Sequence, residues 1–201
     1  QPCRWGYYLM EEKRPGQYFP VFEDEKGSYI LNAKDLCMLD YIDKLAEIGV
    51  TSLKIEGRAK SSYYVAVVTN AYRIAVDDYL RNPSGFALRP WLRDEVEKVS
   101  HRQYSTGFYF DTPAQYYENG GYIREYDIVA ITRTYENGRL FLTQKNKFCE
   151  GDTIEILEPG KEPVSLVVRG MQNEAGESVE AACHPEMALS IESDRAYLPL
   201  S

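Results

Sequence analysis

The fold of this chain is decided by residues 51–58, which read TSLKIEGR. Polar and apolar side chains alternate over residues 51–56, a pattern that predicts a short β-strand ending at Gly57. Apolar side chains recur at helical spacing on both sides of it, over about residues 33–48 and 63–80. Helix, strand and helix at this spacing predict an α/β unit of the kind that builds parallel sheets.

Both predicted helices begin at a capping signal. Asn32 can cap the first helix, whose third residue is then Asp35, and Ser61 or Ser62 can cap the second. Cys37 then lies in the first turn of its helix. Backbone donors and the helix dipole lower a thiol pKa at that position, so we expect Cys37 to favour the thiolate.

The pattern changes beyond residues 82–124, a stretch rich in Pro and Gly that contains one short helical segment near residues 90–99. Residues 126–201 contain six short alternating runs, separated by turn signals such as Asn137-Gly138. The sequence therefore predicts an α/β part over residues 1–99, a connecting region over residues 100–125 and a small six-stranded β-barrel over residues 126–201.

Composition limits the class of protein. With 201 residues, 44% of them hydrophobic, the chain can bury a core, and no apolar run reaches the roughly 20 residues of a membrane span. Four scattered cysteines fit a reducing compartment, so we expect a cytoplasmic protein without membrane contact. The chain begins with Gln1 rather than Met, and we expect an upstream part to precede it.

Charge is spread unevenly. Residues 1–100 carry 14 basic and 15 acidic side chains, whereas residues 101–201 carry 9 and 16. This acidic balance excludes broad affinity for nucleic acid and leaves local patches. One such patch is predicted on a hairpin of the second part, where four basic side chains could face RNA or simply be solvated: Arg133, Arg139, Lys145 and Lys147.

A second charged group crowds the end of the predicted strand. Lys54 and Glu56 are two residues apart, so their side chains lie on the same face of the predicted strand, and Arg58 and Lys60 follow it. Ligands collect at the carboxyl ends of parallel strands, so the group could bind an anion or poise a carboxylate. The alternative is a structural ion-pair network that closes the end of a sheet.

Conventional catalytic signatures are weak in this sequence. Cys3 and Cys37 lie 34 residues apart without a CxxC spacing, and two buried thiols are the simpler interpretation. The two histidines, His101 and His184, lie in no local pattern that marks a paired nucleophile, and no HExxH motif is present.

Several motifs in fixed order nevertheless resemble one family, the collagenase-like peptidase family U32, over essentially the whole chain. The motifs are Gln1–Trp5, Arg14–Pro20, Lys34–Met38, Ser52–Arg58, Ser100–Arg102 with Thr106–Phe108, and Asn146–Phe148 with Gly151-Asp152. The resemblance implies the C-terminal part of a (β/α) barrel-like catalytic domain, followed by the family's small C-terminal β-barrel.

The resemblance also implies chemistry. The family carries a peptidase label without accepted catalytic residues, while relatives act in hydroxylation of RNA bases, some through an iron–sulfur cluster on four cysteines. Cys3 and Cys37 fall where such ligands are expected, with the remaining ligands in the missing N-terminal half, so no complete cluster is expected in this chain alone. We also expect Arg4 to join Lys54, Glu56 and Arg58 in one pocket.

Three interpretations stay open at this point. The first is part of a U32 peptidase acting on a peptide, with Glu56 and Arg58 as catalytic residues and Arg4, Lys54 and Lys60 holding the substrate. The second is an enzyme that hydroxylates a wobble uridine of tRNA with an iron–sulfur cluster. The third is a non-catalytic module that binds protein or RNA. The sequence does not define the oligomeric state.

Overall fold

The computed structural model describes residues 2, 5–25, 27–29, 33–110 and 122–201. The chain begins with two antiparallel hairpins, β1 (Tyr8–Met10) with β2 (Tyr18–Pro20) and β3 (Phe22–Asp24) with β4 (Gly27–Tyr29). All three residues of β1 are exposed, so the first hairpin lies outside the core. The predictions made for Cys3, Arg4 and Asn32 fall outside the described residues.

The first predicted helix is shorter than expected. Residues 35–36 form strand β5 (Asp35–Leu36), a 3₁₀ turn covers Leu39–Tyr41, and helix α1 spans only Ile42–Glu47. Strand β5 pairs in parallel with β6 (Tyr104–Ser105). The backbone amides of residues 35 and 37 thus bond to a distant strand, and this tertiary pairing overrides the helical pattern. Cys37 therefore precedes the helix, and its predicted first-turn position is wrong.

The other two helices match their predicted positions. Helix α2 spans Ser62–Arg81, and the Ser61 side chain accepts a hydrogen bond from the Tyr64 amide as its N-cap. Helix α3 spans Pro90–Lys98 and begins with proline, which suits a first helical turn. Leu92 and Val96 of α3 pack against the buried face of α2 and the 3₁₀ turn.

Residues 51–56 form no strand, contrary to the prediction. Strands need a hydrogen-bonded neighbour, and no strand among the described residues runs beside this segment. Leu53 and Ile55 remain more than a third exposed. The parallel pair of this region is formed by β5 and β6 instead.

The region after residue 126 is built from strands. Strands β7 (Ala130–Glu136), β8 (Arg139–Gln144), β12 (Gln172–Asn173) and β14 (Ala188–Glu192) form one sheet in the order β12-β14-β8-β7. Strands β9 (Phe148–Cys149) with β13 (Ala181–Ala182), and β10 (Thr153–Ile156) with β11 (Val164–Val167), form two antiparallel pairs. The predicted order, an α/β part followed by an all-β part, is confirmed.

One core unites these strands. Leu140, Phe148, Ile156 and Ile191 come from four different strands and belong to the same buried cluster. The turn at Asn137-Gly138 has φ angles of 51° and 78°, the left-handed conformation that a two-residue hairpin of type I′ needs. That predicted turn is confirmed, and it sets the register of β7 on β8.

The helical and strand regions are in contact. Leu157 packs against Val67, Val68 and Val99 of the helical region. The Asn70 side-chain carbonyl accepts a hydrogen bond from the Gly160 amide at 2.7 Å. No helix of the described ranges is long and apolar enough to cross a membrane.

Candidate functional site

Lys60 lies at the centre of a partly buried cluster. Its ammonium donates to the carbonyl of Ser100 at 2.8 Å and lies 3.9 Å from Asp35. The rings of Tyr64 and Tyr122 flank it, with centroids 5.2 and 3.9 Å away. Burial lowers the pKa of Lys60, the Asp35 carboxylate opposes that effect, and the nearby Arg102 charge adds to it.

The parallel pair β5–β6 positions the other charged groups. Asp35, on β5, accepts a hydrogen bond from the Arg102 amide at 3.0 Å, just before β6. The Arg102 guanidinium donates to the carbonyl of Ala33 at 3.3 Å and lies 5.1 Å from the centroid of Tyr122. One strand pair therefore brings together side chains that are far apart in sequence.

The turn at residues 56–58 lies against the start of α2. The Glu56 carboxylate accepts a hydrogen bond from the Arg58 amide at 2.9 Å. A Cβ added at Gly57 would lie 3.1 Å from Val65 Cγ2, so glycine permits this close approach. Glu56 and Asp35 both raise the pKa of Tyr64, after the larger effect of burial. Glu56 thus borders the Lys60 cluster.

The predicted convergence of Lys54, Glu56 and Arg58 with Arg4 stays a prediction. Lys54 and Arg58 are exposed, and among the described residues their side chains make no hydrogen bond or ion pair. The structure brings Glu56 and Arg58 together through a backbone amide. Arg4 lies outside the described residues.

Cys37 lies behind this cluster, against helix α2. Its sulfur is 3.7 Å from the Tyr72 hydroxyl, which accepts a hydrogen bond from the Met38 amide at 2.9 Å. Burial raises the pKa of Cys37, and the bond from Tyr72 only partly opposes this. The expected lowering by a helix start is wrong, because the residue is buried ahead of the helix.

The described residues alone do not supply the ligands of a four-cysteine cluster. They supply one sulfur at this place, and within them no group of three or more Cys, His, Asp or Glu side chains could hold a metal ion. Cys149 lies on β9 and Cys183 is exposed in the strand region. Cys3 is outside the described residues, so its predicted proximity to Cys37 stays a prediction.

Neither histidine has the surroundings of a general base. His101 is buried, its Nδ1 lies 2.7 Å from the carbonyl of Val99, and its ring stacks on Tyr104 at 4.3 Å. His184 is exposed in the strand region. Within the described part of the chain, no hydrogen bond joins a histidine to a serine or cysteine side chain, so no nucleophile–base pair is formed there.

Two family models match the chain. The model of peptidase family U32 matches residues 1–119, and that of the family's C-terminal domain matches residues 124–199. This chain belongs to peptidase family U32. The models of the U32 family meet between residues 119 and 124, within the connecting region expected from the sequence.

The U32 chain is similar to proteins with different names. It is 30% identical to tRNA hydroxylation protein P1 of Bacillus subtilis, over 99% of this chain and 48% of that protein. It is 35% identical to an uncharacterized protease of Methanocaldococcus jannaschii, over 98% of this chain and 51% of that protein. The chain thus spans about half the length of these relatives.

One solved structure is similar to part of the U32 chain. It is the C-terminal domain of a Geobacillus thermoleovorans protein assigned to the U32 peptidases, 25% identical, with a TM-score of 0.36. The match covers 37% of this chain and 94% of that domain.

The predicted RNA-facing patch of the U32 chain is largely committed to structural contacts. Arg139 donates to Ser190 Oγ at 2.9 Å and to the carbonyl of Ser190 at 3.1 Å. Arg133 donates to Thr143 Oγ1 at 2.7 Å, beside a bulge in β7, and Lys145 pairs with Glu186. Strand β8 ends at Gln144, before Lys145 and Lys147. The alternation of side chains along a strand therefore does not place these two lysines on one face with Arg139, and Lys147 is exposed.

Sequence reasoning found Lys60 but missed its neighbours. Asp35 was assigned to a helix, while Arg102 and Tyr122 lay in the connecting region and carried no assigned role. The excess of tyrosine, 17 residues against 7 phenylalanines, was the available signal. It could not show which rings would surround a cation.

Proposed function

We propose that this chain is part of a U32 enzyme that hydroxylates tRNA, at a uridine in the wobble position. The observation that carries the proposal is the similarity to a named tRNA hydroxylation protein over 99% of the chain. Hydroxylation converts a C–H bond of the base to C–OH, which requires an oxygen donor that also takes up two electrons. Side chains cannot supply such a donor, so the residues of this chain would contribute by holding and orienting the RNA.

The chemistry around Lys60 supports RNA rather than peptide as the substrate. Lys60 and Arg102 offer two cations beside tyrosine rings, which suits phosphate and base. A peptidase acting through a histidine-assisted nucleophile would need a pair that the described residues lack. We further propose that Glu56 orients the bound group while Arg58, with Lys54 and Arg4, holds its negative charge.

Complementation with variants tests the proposal. The protein at its natural length would be expressed in a bacterium that lacks its own tRNA hydroxylation proteins, and tRNA nucleosides would be measured by mass spectrometry. We expect wild type to restore hydroxylated uridine. Glu56→Gln and Arg58→Ala should each lower it by at least about tenfold if their contacts act on the reacting group.

Matched controls come from exposed positions of the strand region. Glu174→Gln and Arg169→Ala change the same residue types in exposed positions and should leave hydroxylation near the wild-type level. Wild-type protein that cleaves gelatin but never restores hydroxylated uridine would instead support the peptidase interpretation. Full activity of both Glu56→Gln and Arg58→Ala would remove this turn from the active site.

The iron–sulfur cluster remains part of the proposal, with Cys37 as one ligand and the others, Cys3 included, outside the described residues. Iron and absorbance of the anaerobically purified protein test it. Cys37→Ser should abolish iron binding, whereas Cys149→Ser and Cys183→Ser should retain it. Iron retained by Cys37→Ser would exclude that cysteine as an essential ligand.

A further inference from the structure

Two cations converge on one exposed aromatic ring at the edge of the candidate site. The Lys60 ammonium lies 3.9 Å and the Arg102 guanidinium 5.1 Å from the centroid of Tyr122. Tyr122 is 51% exposed. A ligand in solution can therefore reach the ring and the charges beside it.

The charge of this cluster is positive. Asp35 is the carboxylate that approaches Lys60 within 4 Å, and it also accepts the Arg102 amide. Over the ranges that the structure describes, the Arg102 guanidinium pairs with no carboxylate. Glu56, at the border of the cluster, forms no ion pair with Lys60 or Arg102 among the described residues. In direct contact, one negative charge therefore faces two positive ones, which leaves the cluster able to hold a monoanion.

Arg102 also has an unused donor. Its Nε atom is buried and has no hydrogen-bond partner among the described residues, while its Nη1 donates to Ala33. A buried donor without a partner is unfavourable, and the planar guanidinium fork suits a phosphate. A phosphate here would also offset the burial that lowers the pKa of Lys60.

We propose that Lys60, Arg102 and Tyr122 form a subsite for one unpaired nucleotide of an RNA loop. The two cations hold its phosphate, and the exposed surface of Tyr122 contacts its base. A base within a duplex is stacked on its neighbours and cannot reach an aromatic side chain, so the subsite selects single-stranded RNA. This inference rests on the proposed function and names how that function would recognise its substrate.

Binding measurements with three substitutions test the subsite. The probe is a fluorescein-labelled RNA hairpin with an unpaired loop, and the protein is expressed at its natural length. Tyr122→Leu should weaken binding by about tenfold, because a base–aromatic contact is lost, while Tyr122→Phe should bind nearly as wild type. Tyr18→Leu, which changes an exposed tyrosine in the first hairpin, is the control and should have no effect.

Salt dependence separates the phosphate contact from the base contact. Arg102→Gln should make the slope of log affinity against log salt less steep by about 0.7, the value for one phosphate of a single strand. Tyr122→Leu should leave that slope unchanged. Lys60→Gln should behave like Arg102→Gln, and a thermal melt shows whether either variant is still folded.

The outcomes distinguish this inference from the proposed function. If Tyr122→Leu binds the hairpin with wild-type affinity, the subsite is wrong, even if Arg102→Gln fails to fold. Hydroxylation by the wild-type protein would in that case still support the proposed function. Equal affinity of the wild-type protein for a fully paired RNA duplex also overturns it. If the wild-type protein neither hydroxylates tRNA nor binds the hairpin, both the proposed function and the subsite are wrong.

Discussion

The strand region and the helical region bury apolar surface in different ways. After residue 126, ten buried side chains from the strands and from the segments that connect and follow them form one cluster. Between residues 35 and 110 the buried side chains fall into two smaller clusters. Several large apolar side chains there stay exposed, including Leu36, Ile48 and Phe108, at 58%, 72% and 77%.

This difference indicates that the strand region and the helical region have different roles. A region with a continuous core is expected to gain most of its stability from its own packing. A region that leaves large apolar side chains exposed offers surface for contacts outside the described residues. Most residues of the candidate site lie in the helical region. Its cations and tyrosines are therefore held by hydrogen bonds, charges and ring contacts as much as by packing.

The largest expected effect is loss of the strand core. Leu140 is fully buried on β8, so Leu140→Ala should lower the free energy of unfolding by about 2–5 kcal/mol through lost burial and a cavity. Leu53→Ala, in the exposed segment, should change it by less than about 0.5 kcal/mol. Urea denaturation of both variants measures the difference. A similar loss in the two would contradict the comparison.

The next effect concerns the contact between the two regions. Lys98 of α3 pairs with buried Glu95 and with Glu155 of β10. Burial raises the pKa of Glu95, and the hydrogen bond and charge of Lys98 oppose that rise. Burial lowers the pKa of Lys98, but its hydrogen bonds to Glu155 and Glu95 outweigh burial, so its pKa is raised. Lys98→Met leaves the buried Glu95 carboxylate without its partner and should cost about 3 kcal/mol at neutral pH.

The pH dependence of this variant has a definite sign. A carboxyl whose folded-state pKa is raised binds its proton more tightly in the folded state, so its unfavourable effect begins as pH rises above its unfolded value, near 4.5. The loss in free energy of unfolding caused by Lys98→Met should therefore become smaller as pH falls toward 4.5. Lys147→Met, at an exposed position, should show no deficit. A pH-independent deficit would mean that Glu95 is not the cause.

The smallest effect concerns Asn70, which accepts from the Gly160 amide at 2.7 Å and donates to the Lys161 carbonyl at 3.5 Å across the two regions. Asn70→Ala removes the acceptor of the Gly160 amide and should cost about 1 kcal/mol. Thr69→Ala, at the neighbouring exposed position, is the matched control. Thermal melts would sharpen the comparison, because an unchanged melting temperature in Asn70→Ala would show that this contact adds nothing to stability.

Local signals predicted the elements whose stability is local. Ser61 as a cap, helix α2, helix α3 and the Asn137-Gly138 turn all depend on neighbours in sequence, and each is present. The predicted strand at 51–56 failed because a strand depends on a partner elsewhere. The first turns of the helix predicted over about residues 33–48 failed because a parallel pairing across the chain replaced them.

The candidate site was predictable only in part. Glu56 and Lys60 stand out in the sequence as part of a charged group at residues 54–60, although the strand expected to present that group is absent. Arg102 and Tyr122 reach Lys60 through folded contacts across 42 and 62 residues of sequence, which no periodicity encodes. Burial of Cys37 likewise reversed the pKa shift expected from its assumed helix position.

The pairing of β5 with β6 sets an order of assembly. Asp35 and Arg102 are 67 residues apart, and helices α1, α2 and α3 lie between them. During synthesis, Asp35 has no partner strand until residues 104–105 have left the ribosome, by which time α2 and α3 can already have formed. The site is thus a late product of folding in its region, and a chain that stops before residue 104 would retain Lys60 without the strand pair that positions Asp35 and Arg102.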